Sequence, residues 1–186
     1  MTRWYIVLVL TLITIIVWPK EKYEPVTVSE PYTVEHIITP SPAPASEWLE
    51  EQALKKETEA TIIAKVIFGE ARGVYSLTEQ ACVAWTILNR VDAGYGNITE
   101  VATAPHQFCY NEDFPTVDDY GRNIMELVYD ILDRWEAEQS GERDVGRVLP
   151  PGYLWFHGDG KHNYFRNNYE DYSQPWEYKL QSPYEV

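Results

Sequence analysis

From Trp4 to Trp18 the chain runs without a charge, a glycine or a proline, bounded by Arg3 on one side and by Pro19 and Lys20 on the other. At ~1.5 Å per residue, a helix of this length falls short of a ~30 Å hydrocarbon core. Arg3 and Lys20 can snorkel, however, and Trp4, Tyr5 and Trp18 suit the two membrane interfaces. Residues 1–20 are therefore expected to be a signal-anchor. The alternatives are a cleaved signal peptide, although no A-x-A pattern follows Trp18, and a buried helix of a soluble protein. Either targeting reading places the rest of the chain outside the cytoplasm. Residues 21–60 begin with Pro25, Pro31, Pro40, Pro42 and Pro44 amid Glu, Ser and Thr, without sustained apolar periodicity, which predicts an extended spacer. A lead-in helix starts at about Glu47.

The pattern changes to helical spacing across residues 61–186, where the folded domain is expected. In Thr61–Gly73, the residues Ile63, Val66, Ile67 and Glu70 share one face, and Gly73 is a natural stop. Ser76-Leu77-Thr78-Glu79 has capping-box spacing and opens a helix from Thr78 to Arg90. That helix is apolar almost all round, through Ala81, Cys82, Val83, Ala84, Trp85, Ile87 and Leu88, so it should be the buried central one. A further helix, about Asp118 to Gln139, spaces Ile124, Leu127, Val128, Ile131, Leu132 and Trp135 as a core stripe and ends before Gly141. Between these two helices lies a loop with Gly94, Gly96, Pro105 and Pro115. After Gly141 the chain is turn-rich and aromatic. The fold class predicted is mainly α, a single domain with long loops.

Composition narrows the function classes. The 186 residues carry 15 Lys and Arg against 29 Asp and Glu, a net charge of -14, which repels phosphate backbones and makes nucleic acid a poor partner. No nucleotide-binding glycine loop is present. Aromatic residues reach 14%, with 7 Trp and 14 Tyr, enough to suggest a ligand with flat apolar faces as well as an aromatic core. Cys82 and Cys109 are too few for a disulfide scaffold, and either a single bridge or two separate thiols is compatible with their positions.

Glu70 breaks the pattern, since a carboxylate stands where the apolar stripe of its helix would continue, close to the helix end. Partial burial and the negative end of the helix dipole both favour the neutral acid there, the form a general acid needs. The competing reading is a structural Glu paired with Arg72 or Lys65.

The segment Ile63-Ala64-Lys65-Val66-Ile67-Phe68-Gly69-Glu70-Ala71-Arg72-Gly73, with Ala81-Cys82-Val83-Ala84-Trp85-Thr86-Ile87-Leu88-Asn89-Arg90-Val91, resembles the spore-cortex-lytic, SleB-type cell wall hydrolases. His106-Gln107-Phe108 resembles that family's Gln-Phe element, and Leu154–His157 and His162–Phe165 resemble its closing segments. Val74 departs from the acid often found there, and His157–His162 matches loosely. The resemblance covers roughly residues 61–166. It implies a lysozyme-like helical domain acting on peptidoglycan glycan strands, with Glu70 at the catalytic position and no cofactor. Gln107 would then hydrogen-bond an acetamido group and Phe108 would pack on a sugar, with Tyr110, Trp155 and Tyr164 as further apolar platforms. Asn89 and Arg90 would orient loops or contact substrate, with a plain helix-end hydrogen bond as the competing reading.

A glycosidase of the common type needs a second carboxylate at ~5 to 9.5 Å. Glu79, Asp92, Glu112 and Asp113 are candidates only by nearness to the motifs and read as caps or solvated side chains. A single carboxylate favours lytic transglycosylation over hydrolysis. Two rival readings remain. One is a peptidoglycan amidase with a metal held by His106, His157 and His162 near Asp159, although no H-E-x-x-H or Cys-x-x-Cys spacing is present. The other is a membrane-tethered wall-binding module without turnover.

Overall fold

The computed structural model describes residues 45–170 and 182–185. All described residues fall in one compact unit, 42–186. The expected membrane segment and most of the spacer lie outside them. Among the described residues, no helix is long and apolar enough to cross a membrane.

The domain is mainly helical. Its elements are α1 (Ala45–Ala71), α2 (Leu77–Asp92), α3 (Ile98–Thr103), α4 (Ile124–Gln139), β1 (Trp155–Gly158) and β2 (Asn163–Arg166). The lead-in helix and the motif helix are one element, α1, whose first turns are exposed and whose second half is buried. Ile63, Val66 and Ile67 of α1 meet Ile124, Val128, Ile131 and Leu132 of α4 and the central helix α2 in one core. Every residue of α2 from Glu79 to Arg90 is buried, as its apolar circumference predicts. Trp85, fully buried, lies under the Arg147 guanidinium, 4.1 Å from the ring centroid.

One boundary and two elements differ from the sequence expectation. Helix α4 begins at Ile124 and not near Asp118. The buried Asp118 carboxylate accepts from the backbone N–H groups of Tyr120 (3.0 Å) and Arg122 (2.9 Å). These bonds draw residues 118–122 into a turn with Gly121 at φ 77°, and Asn123 becomes the N-cap. Helix α3 falls in the expected loop and is opened by a complete capping box. Asn97 Oδ1 accepts from Glu100 N–H at 3.0 Å, and Glu100 Oε2 accepts from Asn97 N–H at 2.9 Å.

The turn-rich stretch after Gly141 also contains an antiparallel hairpin, with Phe156 opposite Phe165 and Gly158 opposite Asn163. Asp159 Oδ1 accepts from the Lys161 and His162 N–H groups, both at 2.8 Å, and these bonds lower its pKa to about 2. Residues 159–162 are thereby closed into the hairpin turn. The described part of the tail packs on the domain, where the Tyr184 hydroxyl donates to Asp130 Oδ2 at 2.9 Å.

Candidate active site

Glu70 sits in the last turn of α1, half-buried, with no basic residue in that turn. Among the described residues it makes no ion pair. Lys65 instead donates to the Glu112 carbonyl at 2.6 Å, and Arg72 lies 5.2 Å from the centroid of the Phe68 ring. The structural pairing weighed for Glu70 is thus absent among those residues.

The carboxylate is held by the loop that follows α3. Cys109 N–H donates to Glu70 Oε1 at 2.6 Å, and Oε2 has no hydrogen-bond partner among the described residues. The preceding glycine makes this approach possible. A Cβ on Gly69 would stand 2.0 Å from the Cys109 carbonyl oxygen and 3.0 Å from the Phe114 ring. Glycine at 69 and carboxylate at 70 therefore form one device: the first admits the loop backbone, and the second receives its N–H.

The same loop is braced from α2. Buried Arg90 donates through Nε to the Leu154 carbonyl at 2.8 Å and through Nη1 to Gln107 Oε1 at 3.0 Å. Its guanidinium lies 4.6 Å from the Phe108 ring centroid, and Phe108 lies 6.2 Å from Phe156. Burial pushes the Arg90 pKa below its ordinary value, with Tyr95 and Glu70 opposing the shift. Asn89 donates to the carbonyls of Pro150 (2.9 Å) and Tyr153 (3.0 Å), so both helix-end residues orient loops.

The opposite wall is the hairpin turn. A cleft of about 260 Å³ is lined by Gly69 to Val74 on one side and by Gly158, Gly160, His162 and Asn163 on the other, with Asp119 also contributing. Asn163, 2% exposed, donates through Nδ2 to the Glu70 carbonyl at 3.4 Å and so ties the hairpin to the end of α1.

Glu79 holds this wall. Its backbone N–H meets the Ser76 N-cap at 3.2 Å, as the capping-box spacing predicts, but its side chain does not close the box. The buried carboxylate reaches the hairpin, accepting from Asn163 N–H through Oε2 at 2.8 Å and meeting His162 Nδ1 through Oε1 at 2.9 Å. The reading of Glu79 as a cap or solvated side chain is therefore corrected: a long-range partner outcompetes the local one.

The other sequence candidates are dispersed. Gln107, Phe108 and Tyr110 belong to the loop that holds Glu70, but its cleft is not lined by them, nor by Trp155 or Tyr164. Trp155 meets Tyr169 edge to face at 6.0 Å. Tyr164 stacks on His157 at 5.2 Å, and its hydroxyl donates to Asp159 Oδ2 at 2.9 Å. Asp92 accepts from Trp135 Nε1 (3.1 Å) and Gln139 Nε2 (3.0 Å), and the Asp113 backbone is held by Asn111 at 2.9 Å.

Among the described residues, no group of three or more His, Cys, Asp or Glu is arranged to hold a metal ion, so His106, His157 and His162 form no such cluster. Cys82 is buried, with Sγ 3.6 Å from the Val148 carbonyl oxygen, while Cys109 is exposed, and the two are not bonded. Sequence reasoning missed Asp119, whose place on the cleft follows from the Asp118 turn and from its own N–H donating to the Arg72 carbonyl at 3.1 Å. Comparison with known proteins finds no matching family model, no matching curated protein and no matching solved structure.

Proposed function

We propose that this domain cleaves the glycan strand of peptidoglycan with Glu70 as the acid, most simply as a lytic transglycosylase. The observation that carries the reading is a half-buried carboxyl at a helix C-terminus, lining a cleft, held through one oxygen by a backbone N–H and outside any ion pair among the described residues. The motif resemblance to SleB-type hydrolases supplies the substrate class.

In this reaction the protonated Glu70 gives its proton to the glycosidic oxygen as the C1–O bond breaks and oxocarbenium character develops at C1. The carboxylate left behind takes the proton of the muramic acid C6 hydroxyl as its oxygen bonds to C1, closing a 1,6-anhydro ring. Glu70 ends protonated, and no water is consumed. A membrane anchor on residues 1–20 and a spacer after it would present the domain to the wall from the outer face of the membrane.

Hydrolysis is the second reading, and Asp119 is the observation in its favour, because it brings a second carboxylate to the same cleft. Glu70→Gln should reduce release of soluble muropeptides from purified sacculi by roughly a hundredfold or more while leaving sacculus binding intact. Unchanged release would overturn the assignment. Mass spectrometry of the products separates the two routes, since anhydro ends lack one water relative to reducing ends.

A further inference from the structure

We infer that Tyr75 and Tyr120 form a sugar-stacking platform that continues the Glu70 cleft and binds the glycan strand beyond the bond that is cut. This rests on the reading of the cleft as a glycan site. Single exposed aromatics are ordinary on protein surfaces, but this pair is built. Tyr75 is 75% exposed and Tyr120 is 50% exposed, and they come from separate loops to meet edge to face at 5.2 Å.

Arg122 stands against both rings, 5.6 Å from the Tyr75 centroid and 5.0 Å from that of Tyr120. It is itself fixed by bonds to Asp118 Oδ2 (2.6 Å), the Tyr75 carbonyl (2.7 Å) and the Val74 carbonyl (3.2 Å). The Tyr120 hydroxyl donates to the Gly73 carbonyl at 3.0 Å. Asp118 in turn accepts from Gln80 of α2 at 3.1 Å, which roots the assembly in the core. A network of this kind holds exposed ring faces in place before any ligand arrives and lowers the ordering cost of binding.

Position and chemistry select the occupant. Gly73, Val74 and Asp119 line the cleft beside Glu70, and the Tyr120 hydroxyl reaches the Gly73 carbonyl while its ring meets Tyr75, so the pair adjoins the cleft at this end without lining it. A pyranose offers C–H faces to aromatic rings and hydroxyls to the exposed Asp119 carboxylate.

The test uses the full chain carrying Glu70→Gln, so that ligand is bound without turnover, and measures affinity for peptide-free glycan strands from purified sacculi by calorimetry. Adding Tyr75→Ala should weaken binding by roughly three- to tenfold, whereas Tyr75→Phe, which keeps the ring face, should match the parent. Because Tyr75 is exposed and contributes its backbone carbonyl to Arg122, the fold should tolerate either change. Parent-like affinity in Tyr75→Ala, or no binding of the strands by the parent, overturns the platform. Muropeptide release by the wild type and by Glu70→Gln, measured on the same sacculi, tests the catalytic reading separately.

Discussion

Replacing Glu79 by glutamine removes one charge and one acceptor from the interior while keeping the side chain's shape. In the native domain the Glu79 carboxylate, on a residue 7% exposed, accepts from Asn163 N–H at 2.8 Å and meets His162 Nδ1 at 2.9 Å. Glutamine has one oxygen for these two partners: if it accepts from Asn163 N–H its amide nitrogen faces His162 Nδ1 and cannot pair with a protonated ring, and if it faces His162 the Asn163 N–H is left unpaired. Hydrogen bonds to charged groups contribute about 1.5–3 kcal/mol net, and leaving the buried Asn163 N–H unpaired costs about 1–3 kcal/mol. A loss of about 1.5–3 kcal/mol is expected, seen as a fall in melting temperature of roughly 5–15 °C.

The loss should depend on pH in a defined direction. The hydrogen bond to Glu79 and its negative charge raise the His162 pKa above its ordinary value, with desolvation opposing the shift, Asp159 adding to it and Lys161 opposing it more weakly. A raised native pKa means that the stabilisation is complete below the unfolded-state value of about 6.5 and fades as pH climbs through the native value. Urea denaturation of wild type and Glu79→Gln should therefore show the larger gap below about pH 6.5 and a smaller one well above it. The His162 ring resonances should titrate at lower pH in the variant. Because the hairpin forms one wall of the cleft, muropeptide release should fall with stability held constant by cooling. Equal stability of the two proteins at acid pH, with an unmoved His162 titration, would refute the clamp.

Gly69→Ala places a methyl 2.0 Å from the Cys109 carbonyl, which is backbone and cannot swing aside. It should cost about 1–3 kcal/mol as overpacking and break the Cys109 to Glu70 bond, so release from sacculi should fall further than the denaturation midpoint implies. Unaltered activity would mean that the bond to Cys109 does not position Glu70. At acid pH, the Asp118 turn should open. Burial raises the Asp118 pKa, but bonds from Arg122 N–H, Gln80, the Arg122 side chain and Tyr120 N–H outweigh it and hold the pKa below its ordinary value. The associated stability is present above the unfolded value of about 3.9 and is lost as pH falls through the lower native value, so Asp118→Asn should flatten that limb of the stability profile.

Much of the helical architecture was legible because it is local. The buried circumference of α2, the stripe of α4, the Ser76 cap and the stop near Gly73 follow from side-chain spacing within a few residues. The anomaly at Glu70 was legible for the same reason, since a charge inside an apolar stripe is visible without knowing what lies opposite. Helix α3 carried the Asn97-Ile98-Thr99-Glu100 signal and could have been found. The late start of α4 also carried local marks, in the Asp118 bonds to the Tyr120 and Arg122 N–H groups, Gly121 and the Asn123 cap, and only the brace from Gln80 of α2 is long-range.

Sequence alone therefore determined the three longer described helices, which of them is buried and which acid stands out. Tertiary structure decided what surrounds that acid. The partners are distant in the chain: Cys109 is 39 residues from Glu70, and Asn163 is 84 residues from Glu79. No local spacing encodes such pairs. They form only after the buried faces of α1, α2 and α4 have fixed where the loops and the hairpin can pass.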